Sequence, residues 1–176
     1  MLAGPNGAGK STLYQSAVAS GLLPSEAEFV NADLHEATAL QHICDSTARS
    51  MQAREWADER RAACIKQGVS FVSETVFSHP SKLDLMREAR AAGFAIVLLV
   101  VCVNDPRQLL ARYPRTLQHL QQAVSLANLA LLYDTSGVGR HGVSGPKLVA
   151  RCREGQWHWH VQRPPAWAKR LQLGGL

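Results

Sequence analysis

The sequence predicts an α/β fold, a parallel sheet flanked by helices with a β-hairpin at the C-terminal end. Three observations carry that expectation. Short apolar runs alternate with helical segments along the chain, the pattern of strand-helix-strand units. The strongest run, Phe94 to Val103, is continuously apolar, as expected of a strand buried on both faces. A Gly-rich stretch near the start, residues 4 to 12, opens a helical pattern and gives the sheet its P-loop NTPase character.

The elements follow in order. Only Met1, Leu2 and Ala3 precede the Gly-rich stretch, so the strand expected there is nearly absent from the sequence as read. Lys10 to Ser20 reads as a helix ended by Gly21. Glu28 to Asn31 is a short strand with a polar tip, Asn31-Ala32-Asp33. Residues 36 to 67 read as one helical stretch, with Gly68 placed to end it. Val69 to Ser73 is an apolar strand capped by Glu74-Thr75. Pro80 suits the first turn of a helix over Ser81 to Ala92, ended by Gly93. After the strand at 94 to 103, Asn104-Asp105-Pro106 breaks the chain. Residues 107 to 127 read as helical with Pro114 interrupting, and Leu129 to Tyr133 as a strand. Residues 147 to 162 read as a hairpin turning at Glu154-Gly155. A single domain over residues 1–176 is expected.

Composition narrows the function classes. Hydrophobic residues are 46% and charged residues 19%, a globular rather than a disordered balance. Lys plus Arg number 19 against 14 Asp plus Glu, and the formal charge of +5 is spread along the chain rather than gathered in a basic arm. That excess suits a phosphorylated small-molecule substrate and is too small and scattered to argue for nucleic acid, which is not an expected partner. Cys44, Cys64, Cys102 and Cys152 are scattered, with no zinc or redox spacing, as in a reducing compartment. The longest apolar run is about half what a membrane helix needs, and the N-terminus lacks signal-peptide character. No membrane and a cytoplasmic location are expected.

Gly4-Pro5-Asn6-Gly7-Ala8-Gly9-Lys10-Ser11 matches GxxxxGK[ST] at every fixed position. Glycines let backbone N–H groups converge on phosphate oxygens, and the helix behind points its positive end at the same anion. In this reading Lys10 reaches the β- and γ-phosphates of ATP, Ser11 holds Mg²⁺ through its hydroxyl, and Thr12 adds a contact near the α-phosphate.

Ligands of open α/β sheets bind beyond the carboxyl ends of the strands. Asp33 stands at such an end, either as a base for a substrate hydroxyl or as a helix cap. Glu74 is either a magnesium or sugar-hydroxyl ligand or a structural hydrogen-bonding group, and Thr75 shares its strand end. His79 is a substrate contact or an inert loop residue, and Asp105 reads as a turn residue. His158 and His160 share one strand face without a third metal ligand. Trp157, Trp159 and Trp167 read as packing the C-terminal hairpin.

On GPNGAGKSTL, FVNAD, SFVSETVFSHPSKLDLMREARAAGF, VNDP, ARYPRTLQHLQQA and LLYDTSG, the chain resembles the short bacterial branch of the zeta-toxin-like P-loop kinases. The resemblance spans most of residues 2–137. It implies a kinase that phosphorylates a hydroxyl-bearing small molecule from ATP. Known members modify UDP-N-acetylglucosamine and are held in check by an antitoxin protein. It also implies that Asp33 is the catalytic base, Glu74 the substrate-side carboxylate, and Lys10, Ser11 and Thr12 phosphate-loop residues. The family's arginine-bearing lid is short here: Pro106 runs almost directly to Arg112. Arg112 and Arg115 remain at its foot, and Arg112 is the catalytic lid candidate. Slow turnover follows as an expectation. The alternatives are a degenerate ATP-binding protein and a kinase acting on a nucleic acid end or an antibiotic hydroxyl.

Overall fold

The computed structural model describes residues 1–102, 114–136 and 145–172. In chain order the described elements are β1 (Leu2–Ala3), α1 (Lys10–Ala19), β2 (Glu28–Val30), α2 (Ala32–Ala39), α3 (Ser46–Gln67), β3 (Phe71–Thr75) and α4 (Ser81–Ala91). They continue with β4 (Val97–Cys102), α5 (Pro114–Leu126), β5 (Leu129–Asp134), β6 (Lys147–Arg153), β7 (Gln156–Trp159) and α6 (Ala166–Gln172). The chain is therefore α/β. It divides into two compact units, Met1–Ser25 with Thr75–Leu176, and Glu26–Glu74.

In the first unit β4 is the spine. Leu98, Leu99, Val100, Val101 and Cys102 are all essentially inaccessible, as the continuous apolar run demands of a strand covered on both faces. β1 pairs with β4 in parallel at Leu2↔Leu99 and Ala3↔Val100, and β5 pairs with it in parallel from Val97↔Leu129 to Cys102↔Asp134. β6 then runs antiparallel to β5 and β7 antiparallel to β6. The expected hairpin is present, reversing at Glu154 (φ 53) and Gly155 (φ 78). The expectation of a parallel sheet is corrected to a mixed one, because the hairpin joins the sheet through an antiparallel pairing of β6 with β5. The register slips between Leu132 and Tyr133, where β6 carries an extra residue.

In the second unit β2 and β3 pair in parallel, from Glu28↔Phe71 to Val30↔Ser73. The single helical stretch expected over 36–67 is two helices, because residues 40–45 break it. Asp45 caps the second of them, accepting from the Ala48 N–H at 2.7 Å. Arg49 and Ser50 of α3 both reach Glu36 of α2, and His35 stacks flat on Trp56 with centroids 3.8 Å apart. Gly68 ends α3 in the left-handed region at φ 69, as its position in the sequence predicts.

One further expectation is covered only in part and one helix is new. Pro114 is the first described residue of α5, and residues 107–113, where the expected helix starts, lie outside the described residues. α6 was not anticipated in the sequence: its seven residues bury Trp167, Ala168 and Leu171, too short a stretch to show helical periodicity. No described helix is long and apolar enough to cross a membrane.

Candidate phosphate-binding site

The loop from Gly4 to Gly9 lies between β1 and α1. Three of its glycines are required, by close approach or by left-handed backbone. A Cβ on Gly4 would sit 2.4 Å from the Val101 carbonyl oxygen, so only glycine lets the loop leave the sheet this close to β4. Gly7 (φ 77) and Gly9 (φ 84) adopt left-handed backbone, and a Cβ on Gly9 would also press on Thr135 at 3.3 Å. Gly9 is the N-cap of α1, and the first turn of that helix carries no acidic side chain to compete for an anion.

Two strand ends hold the loop. The Gly4 N–H donates to the Thr75 carbonyl at 3.2 Å. Thr135, just past β5 and 8% exposed, donates its hydroxyl to the Ala8 carbonyl at 2.6 Å, and its own N–H is held by the Cys102 carbonyl at 3.0 Å. Thr135 was missed in the sequence, where it reads only as a turn residue after Asp134; its role depends on a partner 127 positions away. Asp134 accepts from the Ser136 N–H at 2.7 Å and so fixes that turn.

Lys10 is buried, with its ammonium donating to the Gly4 and Pro5 carbonyls at 3.1 and 3.2 Å. Its charge therefore sits inside the curve of the loop. Ser11 is exposed and Thr12 half-buried, on the first turn of α1. Pro5 is half-buried, Asn6 and Gly7 are exposed, and Ala8 is buried by the Thr135 contact.

The segment after β3 is unusual. Phe77 is fully buried at φ 52, a conformation costly for a bulky side chain. It is kept there by two bonds: its N–H donates to Thr75 Oγ1 at 3.0 Å, and its carbonyl accepts from His119 Nδ1 of α5 at 2.9 Å. Thr75 is buried. His79 uses Nδ1 to accept from the Ser81 N–H at 3.2 Å and to meet the Ser81 hydroxyl at 3.0 Å, which is a helix-capping role at the start of α4.

In the second unit, the cap of α2 is Asn31, whose Oδ1 accepts from the Leu34 N–H at 3.1 Å. Asp33 is therefore not the capping residue; it lies exposed in the first turn of α2. Asn31 also donates to Glu74 Oε2 at 2.8 Å, so Glu74 has at least one structural hydrogen bond. Arg61, buried in α3, reaches Ser73 at 2.9 Å and Asp58 at 2.6 Å; burial lowers its guanidinium pKa while Asp58 opposes that shift.

Arg112 and Asp105 lie outside the described residues; Arg115 is exposed near the start of α5. His158 and His160 lie with ring centroids 4.8 Å apart, and among the described residues no group of three His, Cys, Asp or Glu side chains is placed to hold a metal ion. Trp157 and Trp159 stack on each other at 5.9 Å along the hairpin, whereas Trp167 is buried in α6.

Comparison of the chain with protein-family models, with curated proteins and with solved structures returns no match.

Proposed function

We propose that the chain is an ATP-dependent kinase of zeta-toxin type, transferring the γ-phosphate to a hydroxyl of a small sugar-nucleotide-like substrate, with UDP-N-acetylglucosamine the first to try. The single observation that carries this reading is the loop: left-handed Gly7 and Gly9, a Gly4 that excludes any Cβ, and a lysine inside its curve, all at the N-terminus of α1. A cradle with room only for backbone is what an oxyanion-binding loop needs.

The residues present fit ATP and Mg²⁺. The backbone N–H groups of the loop and first turn, with Lys10 and Thr12, would hold the phosphates, and the exposed Ser11 hydroxyl would serve the metal. Bound ATP·Mg²⁺ supplies an electrophilic phosphorus. Of the chain's own groups, Lys10 offsets negative charge on the phosphates and Asp33, exposed and not engaged in capping, accepts the proton of the substrate hydroxyl. Glu74, Thr75 and His79 are proposed on the substrate side, and Arg112 as the arginine that covers charge on the transferred group. An antitoxin-like protein partner belongs to the same reading.

The test is ATP consumption by the purified chain with and without UDP-N-acetylglucosamine, alongside calorimetric titration with ATP·Mg²⁺. Substrate-dependent turnover supports the kinase. Binding without turnover under any acceptor moves the chain to a degenerate ATP-binding protein. Absence of binding ends the phosphate-loop reading altogether.

A further inference from the structure

The C-terminal hairpin carries a surface that the kinase reading does not use. Arg151 stands opposite His158 and Arg153 opposite Gln156 in the β6–β7 pairing. Across the β5–β6 pairing the same two arginines stand opposite Leu131 and Leu129. Directly opposed residues share a sheet face. One face of this three-stranded region therefore presents an apolar floor on β5 and a row of cationic and imidazole groups on β6 and β7. These side chains line a cleft of about 770 Å³, with Trp157 at its wall. The cleft reaches His160, where it meets a second cleft of about 570 Å³ lined by Lys147 and Arg163.

Cations outnumber carboxylates on this surface among the described residues, although Asp134 stands opposite Lys147. Arg151, Arg153, Lys147 and Arg163 are all exposed. None of them belongs to the ion pairs of the described residues, which engage Arg49, Arg60, Arg61 and Arg87. Glu154 at the turn and Asp134 at the far end are the acidic residues lining the two clefts. The excess of cations over carboxylates along this surface is what a polyanion complements.

We propose that the β5–β6–β7 face binds single-stranded nucleic acid. Arg151 and Arg153 are two residues apart on one strand, so they advance by ~6.8 Å, a step comparable to that between successive phosphates of an extended strand. Single-strand binding combines such a basic track with rings and apolar surface that accept bases without reading them. His158, His160 and the half-buried Leu129 supply that second component. An acidic polypeptide would match the arginine spacing as well, but would leave the rings without a role. The surface is independent of the phosphate loop and stands whether or not the chain is a kinase.

The test is fluorescence anisotropy of the full chain with a labelled 20-nucleotide single-stranded RNA across a salt series. Duplex DNA and a polyglutamate peptide are run beside it. About four phosphate contacts give a slope of log K against log salt of roughly −3. The exposed double variant Arg151→Ala/Arg153→Ala should weaken binding at least ~10-fold and cut the slope to roughly −1.5. Arg151→Lys/Arg153→Lys should keep the slope, and Lys10→Ala should bind RNA like the parent. No RNA binding at low salt, a slope unmoved by the arginine-to-alanine variant, or equal binding of polyglutamate or of duplex DNA would overturn the proposal. Loss of RNA binding in Lys10→Ala would also overturn it, by assigning the anion to the phosphate loop.

Discussion

At the scale of single residues, the proposed reaction gives one cation and one carboxylate different tasks. Lys10 is buried and donates to its own loop at 3.1 and 3.2 Å, so its charge is already placed where phosphate oxygens would gather. Lys10→Ala removes that charge. ATP·Mg²⁺ affinity should fall at least tenfold, or ~1.4 kcal/mol, in calorimetric titration; unchanged affinity would dissociate the loop from the nucleotide. Asp33 is exposed in the first turn of α2, where Asn31 already does the capping. Asp33→Asn should therefore leave helicity and ATP binding intact while phosphoryl transfer drops roughly 10²-fold, the usual size of a general-base effect. A variant with parental turnover would remove Asp33 from the chemistry.

At the scale of elements, the second unit depends on side chains that join its helices and strands. Arg60 of α3 grips Glu28 of β2 through both guanidinium ends, one at 2.7 Å. That hydrogen bonding, chiefly, holds the Glu28 carboxyl below its usual range, against the burial that raises it. A depressed carboxylate stabilises the fold above its unfolded pKa and loses that contribution as pH falls through its folded pKa. The stability difference between the parent and Glu28→Gln should be constant near neutral pH and shrink below pH 4.5, the ordinary glutamate value. Urea titrations over that range measure it; a difference that grows on acidification would contradict the pairing.

Much of this level was readable in the amino-acid order. β4 and β5 are legible because burial on both faces leaves an uninterrupted apolar run. The ends of α1, α3 and α4 are legible because Gly21, Gly68 and Gly93 take positive φ. β3 sits two residues later than its apolar composition suggests, since Ser73 and Thr75 are buried by partners rather than by hydrophobicity. The break between α2 and α3 was hidden because residues 40–45 contain no glycine or proline to mark it. The Gly-rich loop between β1 and α1 was plain from spacing alone. Thr135, His119 and Asn31 were not, because each acts through a backbone or side-chain partner that only the fold brings near.

At the scale of the whole molecule, the four cysteines sort by environment. Cys64, Cys102 and Cys152 are buried and Cys44 is exposed. Burial raises the thiol pKa of the first three, most strongly for Cys102, where Asp134 adds to the effect. A thiol reagent at neutral pH should label one cysteine quickly in the native chain and four after denaturation. Mass spectrometry placing the fast label anywhere but Cys44 would show that a buried strand, or for Cys64 the α3 helix, opens readily. Two backbone bonds beside the Gly-rich loop extend that idea to the backbone. The Gly4 amide is bonded to Thr75 and the Thr135 amide to Cys102, each joining the loop's surroundings to the end of a strand. Deuterium can replace those protons only when the strand ends part. Their exchange lifetimes should therefore be long before any nucleotide is added and change little afterwards, because the cradle's ordering entropy is spent in folding and not in binding.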